Sequence, residues 1–145
     1  MTINPCPEPF TYNSTLNLCY HLEQVTGQTR TELNNMCKSH HPNAHLVALE
    51  TLEEYNFMKS YAFSAGSCFC VVTGGFTDIP GNTTEWFWEM AGTNRKKINY
   101  LPWASTQPNN SPPPEFFLIM HSSGEYHDVG DNIPSGTCCI CEYDP

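Results

Sequence analysis

Eight cysteines and a scatter of histidines and carboxylates are the residues whose types and spacing admit chemistry in this chain. The cysteines are Cys6, Cys19, Cys37, Cys68, Cys70, Cys138, Cys139 and Cys141. Their number is even, and no C-x-x-C pair faces a second one. That spacing argues against a zinc ribbon and for disulfides made in an oxidising compartment. His40, His41 and His45 lie close together in the sequence. His40 and His41 are neighbours and cannot share a helical face, so the three read as a polar turn after a helix, not as metal ligands. Glu115, His121, His127 and Asp128 have the residue types of a zinc hydrolase centre. Neither H-E-x-x-H nor G-x-S-x-G accompanies them, and no enzyme is expected.

The chain that must position these groups has 145 residues and reads as a single domain over 1–145, with a core from about residue 6 to about residue 143. Its formal net charge is -9, with only six Lys and Arg. Such a surface repels phosphate backbones and anionic lipid headgroups, which excludes nucleic acid and membrane insertion as expectations. A divalent metal or a cationic partner fits the charge better. The only basic cluster, Arg95-Lys96-Lys97, reads as a solvated loop. N-x-[ST] sequons begin at Asn13, Asn82 and Asn109, and the third, followed by Pro112, is a poor acceptor. Pro5, Pro7 and Pro9 interrupt the stretch where a signal segment would need an apolar run. No apolar stretch approaches membrane-spanning length. The expectation is a secreted glycoprotein whose Met1 opens a mature or recombinant fragment, or else the ectodomain of a larger protein.

Local patterns supply the elements. Phe10 and Tyr12 alternate as a strand does, and a polar turn leads to a second short strand, Cys19-Tyr20-His21-Leu22. Thr29 and Glu32 form a capping box for a first helix whose inner face carries Leu33, Met36 and Cys37. Thr51 and Glu54 repeat the device for a second helix, with Tyr55, Phe57, Met58 and Tyr61 as its buried stripe. His45 to Leu49 is a short apolar strand, Cys68 to Val72 a buried one, and Gly74-Gly75 marks a tight backbone approach. From Thr77 to Pro114 there is no long periodic segment, yet Trp86, Trp88 and Trp103 lie there. Long loops with large aromatics are usually packed and functional. Phe116 to Met120 and Thr137 to Tyr143 close the chain as strands. The order indicates an α+β fold.

Along nearly its whole length the chain resembles the long form of the C-type lectin-like domain. The carriers are Leu46-Val47-Ala48-Leu49 with Glu54 and Phe57, Thr73-Gly74-Gly75-Phe76-Thr77-Asp78, Trp86-Phe87-Trp88 with Gly92, and Cys139-Ile140-Cys141-Glu142. The family's long-loop motif is matched by Gln107-Pro108-Asn109, four residues past Trp103, then by Glu115, and then by Tyr126-His127-Asp128. The resemblance implies two helices, small antiparallel sheets and a long irregular loop, stapled by disulfides. It implies an amino-terminal hairpin bridge between Cys6 and Cys19 and a bridge from Cys37 to Cys141. It also implies a sugar site of Gln107, Asn109, Glu115, His127 and Asp128, with Gln107, Asn109, Glu115 and Asp128 as the metal ligands.

The chain departs from the family at several positions. Gln107 stands for a glutamate, and Q-P-N mixes the mannose-type E-P-N with the galactose-type Q-P-D. His127 stands for an asparagine oxygen, although imidazole suits zinc or copper better than calcium. It reads as an exposed strand-end histidine, with a pH-sensitive element as the alternative. Calcium affinity falls with ligand charge count, so weak calcium binding or none is expected. The family's second core bridge is missing; instead Cys68 and Cys70 face Cys138 and Cys139. Cross-strand pairs are expected over a bridge between neighbours, with the partners open. The function implied is a secreted carbohydrate-binding module for a glycan or glycoprotein, with a calcium-independent module for a protein ligand as the alternative. Adhesion to ice or mineral, a third role this fold hosts, lacks the flat Thr-rich repeat it would need.

Overall fold

The computed structural model describes residues 4–64 and 68–145. The absence of a signal segment, read over Met1 to Phe10, falls partly on residues 1–3, outside the described residues. The elements are β1 (Thr11–Asn13), β2 (Leu18–Gln24), α1 (Arg30–His40), β3 (His45–Leu46), α2 (Leu52–Phe63), β4 (Cys70–Phe76), β5 (Phe87–Glu89), β6 (Arg95–Lys97), β7 (Phe117–His121), β8 (Tyr126–Val129) and β9 (Thr137–Tyr143). No helix among the described residues is long and apolar enough to cross a membrane.

β9 is the hub of this α+β fold. It pairs antiparallel with β2 and β3 and parallel with β4. All seven of its residues are buried, as expected of a strand covered on both faces. The sheet continues from β4 through β5 to β6, while β7 joins β4 to β8. The β4–β9 pair is the one parallel ladder among the named strands, which otherwise pair antiparallel as expected. One face of the sheet packs on α2 through Tyr55, Met58 and Ala62 with Trp86, Trp88 and Ile140. The other packs on α1 through Leu33 and Cys37 with Val72, Ile119 and Cys141.

α1 begins with the full capping box, the Thr29 side chain accepting from the Glu32 amide and the Glu32 carboxylate from the Thr29 amide. At α2 only half of the device forms. Thr51 accepts from the Glu54 amide, but the Glu54 carboxyl turns inward toward Glu142. Two strands, β5 and β6, also appear where the sequence reads as loop. Arg95-Lys96-Lys97 is β6, an exposed edge strand whose charges pair with Asp78, Glu50 and Glu85. Charged side chains of this kind blunt a sheet edge against further pairing. The tight approach at Gly74-Gly75 is real: a Cβ on Gly74 would lie 2.7 Å from the Leu46 carbonyl oxygen, and one on Gly75 2.7 Å from the Leu118 side chain.

Three disulfides staple the elements: Cys6–Cys19, Cys37–Cys141 and Cys68–Cys138. Cys70 and Cys139, expected in a second cross-strand bridge, are instead buried thiols. The register gives the reason. Cys70 lies opposite Thr137, and Cys139 lies opposite Val72. Standard strand spacing then sets their Cα atoms roughly 8 Å apart, beyond the ~7 Å that a disulfide spans. Cys68 and Cys138 have a Cα–Cα distance of 5.5 Å. Burial pushes the Cys70 thiol up to about 11 and the Cys139 thiol up to about 12, so both stay protonated and unreactive. Peptide mapping of the unreduced protein is expected to link three pairs and to release two alkylatable thiols on unfolding. A Cys70–Cys139 linked peptide would overturn this assignment.

Glu142 is buried, its Oε1 accepting from the Ala48 amide at 2.5 Å. Burial first, and then the Glu54 charge, hold its carboxyl well above the usual carboxylate range. Burial, and then Glu50, push Glu54 up to about 7. Oε2 of Glu142 and Oε1 of Glu54 have no other hydrogen-bond partner, and a proton shared between the two carboxyls satisfies both. The native state therefore holds a proton that the unfolded chain releases near 4.5. The associated stability is complete below about 4.5 and is lost as pH rises through about 7. In urea titrations from pH 5 to pH 8, Glu54→Gln should flatten this decline. An unchanged slope would rule out the shared proton.

Candidate functional site

The long loop hangs from β8. Tyr126 donates its amide to the Pro102 carbonyl at 2.8 Å and accepts from the Ala104 amide at 3.1 Å. The Trp103 indole N–H reaches the Thr83 carbonyl at 3.0 Å. Trp86 and Trp88 are buried and Trp103 packs against them in the core, so the tryptophans hold the loop from beneath.

Two residues further along β8, Asp128 points to the same side as Tyr126, by strand alternation. It is buried, and its two carboxylate oxygens accept from the amides of Asn109 at 3.0 Å and Asn110 at 2.7 Å. Asn110 has a positive φ of 48°, a conformation that asparagine tolerates better than most residues. Its side-chain oxygen accepts from the Glu115 amide at 2.8 Å. The Ser111 amide donates to Glu115 Oε1 at 2.9 Å and to the Asn109 side chain at 3.1 Å. The loop is thus closed on itself around two carboxyl groups. Gln107 precedes a cis bond to Pro108. Its Oε1 is buried without a hydrogen-bond partner among the described residues.

Glu115 is only 6 % exposed. Burial first, and then the Asp128 charge, push its carboxyl up to about 7, against the pull of the Ser111 amide. Two like charges with no basic neighbour in their hydrogen-bond network favour either a shared proton or a bound cation.

The structure brings Gln107, Asn109, Glu115 and Asp128 into this one loop and its strand. It does not bring His127 with them. His127 lies opposite Ile119, on the sheet face away from Asp128. Its ring stacks on His121 at a centroid distance of 3.7 Å. Burial lowers the proton affinity of both imidazoles, and the proximity of His127 lowers that of His121 further. His127, expected in the sugar site, instead stands on the opposite face of the sheet, stacked on His121. Asn110 and Ser111, which shape the loop, were hidden in the sequence as part of a sequon. The run N-N-S-P was a turn signal there. The Asn82 side-chain nitrogen is likewise engaged, donating to the Thr77 hydroxyl at 2.7 Å and to the Ile79 carbonyl.

No family model matches the chain. A "C-type lectin" of Micrurus corallinus is 28% identical over 138 residues, which is 93% of this chain and 84% of the snake protein. Among solved structures, the cow C-type carbohydrate-recognition domain of CD23, determined in the presence of a GlcNAc2Man3 oligosaccharide, is similar with a TM-score of 0.76 at 21% identity. The match covers 99% of this chain and 98% of that one. A calcium-independent type II antifreeze protein is similar with a TM-score of 0.71 at 20% identity, over 99% and 97% of the two chains. None of these names is that of an enzyme. The chain folds as a C-type lectin-like domain.

Proposed function

We propose that the chain is an extracellular carbohydrate-binding module, not an enzyme, acting through Gln107, Asn109, Glu115 and Asp128. The observation that carries this reading is the buried Glu115–Asp128 pair in a loop that also leaves Gln107 Oε1 without a partner. Because His127 is turned away, the side-chain donors of the loop that face a ligand are oxygens. That chemistry fits a hard divalent cation, which takes carboxylate, amide and water oxygens. Calcium, when bound, supplies coordination for two vicinal sugar hydroxyls. Gln107 and Asn109 each offer an amide donor and an acceptor to the same hydroxyls. The three disulfides suit an oxidising, extracellular setting.

A second reading, a metal-independent module for a protein ligand, draws on a specific feature. Both Asp128 oxygens and Glu115 Oε1 already accept backbone amides, so the loop is closed without an ion. The thermal melt of the domain in millimolar calcium and in chelator separates the two. A ligand at about 100 times its Kd adds about 2.7 kcal/mol to the native state. The proposed reading expects a calcium-dependent rise in Tm and a glycan signal on an array, both lost in Gln107→Ala, whose Tm in chelator stays that of the parent. No rise with calcium would leave the protein-ligand reading standing.

Removing the Asp128 carboxylate strands two loop amides. Asp128→Ala should cost about 1–3 kcal/mol and should speed hydrogen exchange at Asn109 and Asn110. Unchanged exchange at those two amides would refute the role of Asp128 as the loop's anchor.

A further inference from the structure

A second cluster of ligand-type side chains lies far from the long loop in the topology. It is built by β2 and the last turn of α1. His21 and Glu23 are two apart on β2 and share the face of Cys19. His21 lies opposite Cys141 on β9. Cys141 is bridged to Cys37, and His40 stands one helical turn beyond Cys37 on the same side of α1. The disulfide therefore carries the end of α1 over β2 and sets His40 against His21 and Glu23.

The resulting geometry is convergent. His21 Nε2 lies 2.8 Å from Glu23 Oε1, and His40 Nε2 lies 3.2 Å from the same oxygen. One ligand atom from each of the three residues lies within 4.8 Å of the other two. The two rings meet edge to face at 5.7 Å. The buried ring of Phe10 stands edge-on to both, at 6.3 and 6.2 Å, and limits how they can turn. Side-chain exposures of 22%, 32% and 26% leave one side of the cluster open to water.

We propose that His21, Glu23 and His40 bind a zinc ion, with water as the fourth ligand. Two imidazole nitrogens and one carboxylate are a zinc donor set, and bond lengths of about 2.0–2.2 Å put tetrahedral ligands about 3.3 Å apart. The observed 2.8 and 3.2 Å separations lie near that spacing, and the two histidine ligand atoms lie within 4.8 Å of each other. The nitrogen donors separate this site from the all-oxygen loop, because imidazole prefers the zinc class of metals and calcium does not compete for it. Zinc would take the place of the two ring N–H groups that now share the Glu23 oxygen, each neutral imidazole then carrying its proton on Nδ1. The other histidine pair makes no such site: His121 and His127 stack nearly face to face, and the described residues add no third ligand to them.

Isothermal titration of the intact, disulfide-bonded domain with zinc chloride, and separately with calcium chloride, tests this proposal. One zinc per chain is expected. Affinity should fall by at least about tenfold in His21→Ala and His40→Ala, while His127→Ala and Gln107→Ala leave it unchanged. Circular dichroism and Tm in chelator confirm that each variant is folded, with His40→Gln as the substitute if His40→Ala is not. Absence of saturable zinc binding, or equal affinity in folded parent and His40 variants, overturns the site. Because Gln107→Ala is silent toward zinc, failure here and failure of the calcium reading are distinguishable.

Discussion

The Cys37–Cys141 bridge is the constraint on which the rest of the molecule depends. It joins residues 104 apart. In the chain-entropy model, closing a loop of about 100 residues removes about 4.7 kcal/mol of unfolded-state freedom. It ties α1 to β9, the strand that also receives β2, β3 and β4. The side chains of Leu33 and Cys37 then have a surface to bury against. From the same anchor, β9 carries the register that selects Cys138 as the partner of Cys68 and aligns His21 with Cys141. The placement of the proposed zinc ligands is a consequence of the bridge.

Burial of acid in an acidic protein is the second organising feature. Glu142 with Glu54, and Glu115 with Asp128, each place two carboxyl groups together without a basic partner among their described hydrogen bonds. The first pair lies between α2 and β9 and holds the Ala48 amide. The second closes the long loop through amides of Asn109, Asn110 and Ser111. The physics is the same and the outcome differs with surroundings. A proton satisfies the enclosed pair, whereas the loop pair stands in the segment that carries Gln107 and Asn109, the residues proposed to contact a ligand.

Arg30 shows how the two faces of the core are cross-tied. Its guanidinium is buried, donates to Glu89 at 2.6 Å and lies over the Phe117 ring at 4.4 Å. Asn34 donates to the other Glu89 oxygen at 2.9 Å and accepts from the Leu46 amide at 3.2 Å. Nothing local in Arg30 or Asn34 announces this. In the sequence they are ordinary polar residues on an amphipathic helix, and their partners lie 59 and 55 residues away.

Local chemistry was legible from the residues alone. The Thr29–Glu32 capping box and the inner face at Leu33 and Cys37 depend on neighbours within a few positions, where backbone geometry decides, and Gly74-Gly75 was legible as a tight approach although the groups it meets, Leu46 and Leu118, come from distant segments. The lectin-like fold was legible because the spacing of its motifs is itself the signal. Strand pairing across distance was not. β6 looked like a solvated loop because its three residues are all charged, and only pairing with β5 makes them a strand. The choice among Cys68, Cys70, Cys138 and Cys139 required the β4–β9 register. The face taken by His127 required the β7–β8 register, because a shift of one residue turns a side chain to the opposite side of a sheet. His40 read as part of a polar turn because its partners, His21 and Glu23, come from another element and meet it only once the disulfide has closed. Sequence spacing determines what a residue can do with its neighbours; packing of distant segments determines which residues become neighbours at all.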